Sequence, residues 1–129
     1  MTLLLDTHAI AWWFFGDRRF APGVRDLIER NTGAIYVSAV SAFEMAQKFR
    51  AGKWPEIVPL IEGFDRLIKA ADFKTLDLTP QHAIRAWLLP GDHRDPFDRL
   101  LAAQALIEGL RVVSRDKELR VFGVEPIWK

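Results

Sequence analysis

Short apolar runs alternate along this chain with longer segments in which apolar residues recur every three or four positions. Residues 2–5 read as a strand buried on both faces, which stops abruptly at Asp6-Thr7-His8. Residues 34–38 predict a second strand, 73–78 a shorter third and 110–114 a fourth. Residues 124–128, with Pro126 inside them, predict a last edge strand. Between the runs, helical spacing predicts helices over 9–16, 21–31, 42–51, 57–71, 80–88 and 96–109, and a short one over 116–122. Strands separated by helices of about ten residues imply an α/β fold whose central, mainly parallel sheet is flanked by helices in three layers.

Local signals mark several boundaries. The helix over 96–109 carries its apolar stripe on Leu100, Leu101, Ala105, Leu106 and Ile107. Asp95 suits its cap, Pro96 its first position and Gly109 its end. Thr79 caps the helix before it. Ser41 and Glu44 have the spacing of a capping box, in which each side chain satisfies the other's backbone donor. The segment 9–16 is apolar nearly all round, so it is either wholly buried or has one face against a partner.

Composition narrows the class. Half of the 129 residues are hydrophobic, enough for one domain with a core over 1–129. Eighteen basic against seventeen acidic residues leave a net charge of +1, so any electrostatic footprint must be local. The lack of cysteine rules out disulfides and thiolate metal sites. The longest apolar run, 9–15, is far short of the roughly 20 residues that span a bilayer. Asp6 also interrupts anything resembling a signal peptide. The expectation is a cytoplasmic protein with no membrane role.

The candidate chemistry lies in the acids. Asp6 follows the first strand, Glu44 shortly follows the second, Asp116 follows the fourth, and Asp98 opens the helix before the fourth. In a parallel sheet all four arrive at one edge, where such folds bind ligands. Carboxylates gathered there repel one another and call for a hard divalent cation such as Mg²⁺, which takes oxygen ligands and keeps several waters. Phosphodiester hydrolysis is the reaction class that fits. Each acid also has a plainer use: Asp6 and Asp95 as caps, Glu44 in its capping box, Asp116 in a turn and Asp98 against the helix dipole. His93, alone in a loop, reads as a surface or supporting group rather than a zinc ligand.

Four stretches carry a resemblance: Leu4-Leu5-Asp6-Thr7-His8; Val37-Ser38 through Ser41 to Glu44; Arg94-Asp95-Pro96-Phe97-Asp98-Arg99 with the residues that follow; and Val113-Ser114-Arg115-Asp116. Together they resemble PIN domains of the VapC toxin type along essentially the whole chain. The resemblance implies a PIN-like fold and an acidic metal site of Asp6, Glu44, Asp98 and Asp116, with Ser114 beside it. It also implies a Mg²⁺- or Mn²⁺-dependent ribonuclease, usually dimeric and inhibited by a cognate antitoxin. On this reading Arg94, Arg99 and Arg115 hold RNA phosphates, while Lys117 reads as solvated surface charge. Trp12 and Trp13 come from an aromatic run too crowded to point one way, and are expected at the antitoxin surface. Two other classes remain open: a catalytically silent binding module whose acids only cap helices, and a phosphoacceptor domain. The last expects paired acids after the first strand and a lysine after a late one. Here Asp6 stands alone and Arg115-Asp116 follows the late strand.

Overall fold

The strand β1 (Leu3–Leu5) is flanked on both sides by parallel neighbours, β2 (Ile35–Ser38) and β4 (Arg111–Val113), and β3 (Lys74–Leu76) adds to β2. The order β3-β2-β1-β4 makes one all-parallel sheet, in a computed structural model that describes residues 1–129. Because side chains alternate across a strand, Leu3 and Leu5 face one side of the sheet and Leu4 the other. Two apolar cores follow from this. One gathers Leu3, Leu5, Ile35, Val37 and Val113 with Ile10, Val24, Ile28, Met45, Ile57 and Leu60. The other packs Leu4 and Val112 against Leu101, Ala102, Ala105, Leu119 and Phe122.

The helices fall close to their expected places, with instructive shifts. α1 (Thr7–Phe15) begins directly after Asp6, and α2 (Pro22–Arg30) opens on its proline. α3 (Ala39–Arg50) starts straight off β2, with Ser38 as its cap. This overturns the capping box: Ser41 is buried inside the helix, and the Ser38 hydroxyl accepts from the Val40 amide instead. The single helix expected over 57–71 is a 3₁₀ turn followed by α4 (Val58–Glu62) and α5 (Phe64–Ala70). It breaks at Gly63, whose backbone leaves the helical region at φ −116°. α6 (Pro80–Leu88) carries a capping box between Thr79 and His82, and α7 (Pro96–Glu108) ends at Gly109 in a left-handed turn. Residues 117–122 form a 3₁₀ helix. The expected last strand is reduced to one bridge, Val113 to Ile127. Pro126, with no amide to donate, limits the pairing to the residue after it.

Two buried polar groups lock α7 in place. Gln104 is fully buried; its Oε1 accepts from Ser38 Oγ at 2.6 Å and its Nε2 donates to the Asp77 carbonyl. Arg99, expected among the RNA contacts, is also buried. Its Nε donates to the His93 carbonyl at 2.7 Å, Nη1 to those of Ala86 and Leu89, and Nη2 to that of Gly91 at 2.6 Å. The guanidinium lies between the rings of Trp87 and Phe122, 5.2 and 5.1 Å from their centroids. With four N–H bonds spent on carbonyls, this side chain is a clamp between α7 and the segment that ends α6. The sequence shows the charge but not the carbonyls that enclose it.

Removing the clamp leaves buried carbonyls unpaired, so Arg99→Ala should cost roughly 2–5 kcal/mol of folding stability. Denaturant unfolding measures it. A fully stable Arg99→Ala protein with weakened RNA binding would return the residue to the substrate face.

Candidate active site

The parallel sheet sends its strand ends to one edge, and the acids meet there. Asp6 leaves β1 and caps α1, its Oδ1 accepting from the Ala9 amide at 2.8 Å. Its own amide donates to the Val113 carbonyl, which extends the β1–β4 ladder to the acid itself. Ser114, fully buried, hydrogen-bonds the Asp6 carboxylate and accepts from the Asp116 amide at 2.9 Å. Asp116 in turn caps the 3₁₀ helix through the Glu118 amide. Asp95 caps α7, with Oδ1 accepting from the amides of Phe97 and Asp98. That leaves the Asp98 side chain, on the first turn, free of capping.

One cavity of about 110 Å³ is lined by Asp6, Glu44, Asp98 and Asp116 together, with Asp95, Thr7, His8 and Lys48 also on its walls. Asp98 and Asp116 from its lining, together with His93 outside it, offer ligand atoms that all lie within 4.8 Å of one another. Glu44 is differently occupied. Thr7 Oγ1 donates to its Oε1 at 2.6 Å, and Lys48, one turn along α3, pairs with its Oε2. It therefore adds charge at the cavity wall from a fixed position.

The electrostatics reflect crowding. Removal from water, reinforced by the charges of Asp98 and Glu44, pushes the Asp6 carboxyl up to about 7 despite its bonds to Ser114 and Ala9. Burial, with Asp95 and Asp116 adding to it, raises Asp98 to about 6 against the opposing bond from His93. His93 Nε2 sits 2.8 Å from Asp98 Oδ2, and that bond raises the imidazole; its Nδ1 is 3.2 Å from Glu118 Oε2. Burial and the nearby Lys48 lower His8 instead. The donor set is carboxylate oxygen with one imidazole, which suits a hard divalent cation. The raised carboxyls follow first from burial and then from the like charges that share the site.

The remaining assignments divide. Arg94 is exposed beside His93, and Arg115 lines a hollow of about 350 Å³ with Asp6, His8, Trp12 and Asp116. Trp12 and Trp13 do not offer the free apolar surface expected of them. Trp12 is buried, edge-on to Trp128 and under the guanidinium of Arg19; Trp13 packs on Phe20 and Phe73. Core packing absorbs them because α1 fits between the sheet and the chain's C-terminal residues. His93, Thr7 and Lys48 join the site without having been assigned to it. The Asp98 link to His93 spans a loop that carries no periodicity, whereas Lys48 stands one helical turn beyond Glu44 and was legible from that spacing.

Comparison with known proteins agrees with this geometry. Residues 3–125 match the family described as PIN domain. The chain is 32% identical to Ribonuclease VapC22 of Mycobacterium tuberculosis over 120 residues, 92% of this chain and 90% of that one. Among solved structures, VapBC2 from Rickettsia felis bound to a promoter DNA fragment superposes with a TM-score of 0.73 at 14% identity, covering all of both chains. DNA-bound VapBC from Salmonella typhimurium gives 0.69 at 20% identity, over 98% of this chain and 97% of that one. Fold, acid cleft and sequence match coincide, and the chain belongs to the PIN-domain family.

Proposed function

We propose that this chain is a metal-dependent endoribonuclease that hydrolyses RNA phosphodiester bonds in the acid cleft, and that it is the toxin of a toxin–antitoxin pair. The observation that carries the reading is the meeting of Asp6, Glu44, Asp98 and Asp116 in one cavity, two of them with strongly raised carboxyls. The 32% identical relative is named a ribonuclease, and the structural neighbours are VapBC complexes, which supports an antitoxin as partner. No helix is long and apolar enough to cross a membrane, in keeping with a cytoplasmic site of action. An apolar groove between α3 and α7, with Phe43 and Phe97 on its walls, supports assembly as a homodimer of single-domain chains.

Asp98 and Asp116 would hold Mg²⁺ or Mn²⁺ directly, with Asp6 beside them. When bound, such an ion supplies Lewis-acid charge to a phosphoryl oxygen and lowers the pKa of its water. The chain's own groups arrange the rest. His93 orients Asp98 through Nε2, Ser114 and the Ala9 amide fix Asp6, and Thr7 with Lys48 fixes Glu44. Arg94 and Arg115 are placed to take RNA phosphates. A second reading has one observation in its favour: Asp6, Asp95 and Asp116 do cap helices, as a silent binding module would require. Capping uses only Oδ1 of each, however, and gives no reason for Asp98 and Glu44 to line the same cavity.

Two predictions follow from this division of labour. Asp95→Asn keeps a good cap and should retain cleavage, whereas Asp98→Asn should abolish it together with the rise in melting temperature that Mg²⁺ or Mn²⁺ produces. The metal-free Asp98→Asn protein should melt at the same temperature or higher, because a repelled carboxylate is gone. Cleavage by Asp98→Asn, or wild-type cleavage that persists in excess EDTA, contradicts the metal reading. The second prediction concerns pH. Asp6 holds a proton in the fold up to about pH 7, while the unfolded chain loses it near 3.8. The metal-free protein therefore loses stability as pH rises from about 4 to 7, and metal binding and cleavage gain over roughly pH 6–7 as Asp98 and Asp6 ionise. Asp6→Asn should flatten the stability profile, and thermal melts across pH measure it. An identical profile in that variant would show that Asp6 is not the titrating group.

A further inference from the structure

The acid cleft does not end at the carboxylates. His8 and Lys48, which stand on its wall, also stand on the wall of a neighbouring groove of about 360 Å³. The other walls of that groove are Trp12, Trp54, Arg19 and Lys53, with Glu56 its single acid. The cleft thus opens into a second space made mostly of aromatic rings and cations, where the cleft itself is mostly acidic.

The rings already lean against one another. The imidazole of His8 lies 5.1 Å from the Trp54 ring at a tilt of 30° and 5.6 Å from Trp12. Arg19 covers Trp12 at 4.7 Å, and Arg115 approaches the same ring at 5.8 Å. Of the cations here, Lys48 is spent on Glu44 and Arg19 on Asp17, while Lys53 and Arg115 make no ion pair. Aromatic faces accept any nucleobase, and unpaired cations accept the phosphates that flank it; together they are the means by which proteins hold single strands without reading sequence. A patch meant for an apolar partner would need the rings but not the uncompensated charge.

We propose that this groove seats the nucleotide next to the scissile phosphate, its base stacked on the His8 and Trp54 rings and its phosphate held by Lys53. The assignment rests on the nuclease reading of the acid cleft and adds to it the residues that hold the nucleotide beside the cut. It also gives Trp12 a place beneath the substrate as the support of the His8 ring.

A fluorescent single-stranded hexaribonucleotide, cut in Mn²⁺, is the probe. Trp54→Ala should raise KM by roughly 5- to 100-fold, the range of one lost base stack, and leave kcat within about threefold. Trp54→Phe, which keeps a ring, should recover most of the loss. Lys53→Glu should lower the logarithmic salt slope of binding by about 0.7 or more. Replacing one base at a time by an abasic ribose should cost the wild type most at a single position beside the cut, and cost Trp54→Ala nothing further there. If Trp54→Ala melts below the assay temperature, Lys53→Glu and the abasic series on the wild type decide the matter. Unchanged KM and salt slope in the folded variants overturn the subsite, as does a loss confined to antitoxin binding. A wild-type protein that cuts no RNA in Mn²⁺ removes the nuclease reading, and the subsite with it.

Discussion

Asp6, Glu44, Asp98 and Asp116 share one small cavity with Asp95, and the rest of the molecule is arranged around the cost of keeping them there. Acids so placed lose hydration and also repel one another, which is why Asp6 and Asp98 hold their protons well above the usual carboxylate range. The fold meets part of that cost with hydrogen bonds. The Ala9 amide and the Ser114 hydroxyl bind Asp6, His93 binds Asp98, and Thr7 with Lys48 binds Glu44. These bonds fix the oxygens in position, and the one lysine among them offsets only the charge of Glu44. What is left is a pre-formed demand for positive charge, which a divalent cation would satisfy.

Holding mutually repelling groups requires rigid supports, and each acid is anchored to an element that cannot easily move. β1 is paired on both edges and buried on both faces, so Asp6 leaves a strand with no freedom to shift. Asp98 depends on α7, which is pinned at its first turn by Arg99 and further along by Gln104. The Arg99 clamp also holds the backbone carbonyl of His93, whose ring then reaches Asp98. One buried guanidinium therefore sets both members of that pair. Capping and the candidate metal site draw on the same side chains because the end of a strand is also the start of a helix. Asp6 and Asp116 each give one oxygen to the helix and leave the other for the cleft.

The sequence revealed this site where its chemistry coincided with a strand end. Asp6 and Asp116 follow apolar runs directly, and parallel topology carries them to one edge whatever the details of packing. Ser41 misled because spacing alone cannot say where a helix starts; α3 begins straight after Ser38, so the serine that caps is the one at the strand end. Arg99 misled for a deeper reason. A charged residue reads as surface until its acceptors are known, and here they are main-chain carbonyls of 86, 89, 91 and 93, invisible in side-chain composition. The crowded aromatic run points to a partner surface, yet Trp12 packs on Trp128, a contact between residues more than a hundred positions apart. The break at Gly63 is milder: helical periodicity continues through it, and only the backbone departs.

The central claim is that the cavity of Asp6, Glu44, Asp98 and Asp116 is built for a divalent cation. Crystals of the protein soaked in Mn²⁺ and measured near the manganese absorption edge test it most directly, because the anomalous signal locates the ion independently of any activity. The account predicts a peak in that cavity, about 2.0–2.3 Å from oxygens of Asp98 and Asp116 and close to Asp6. Peaks confined to exposed acids such as Glu125, with the cavity empty at saturating Mn²⁺, would contradict it.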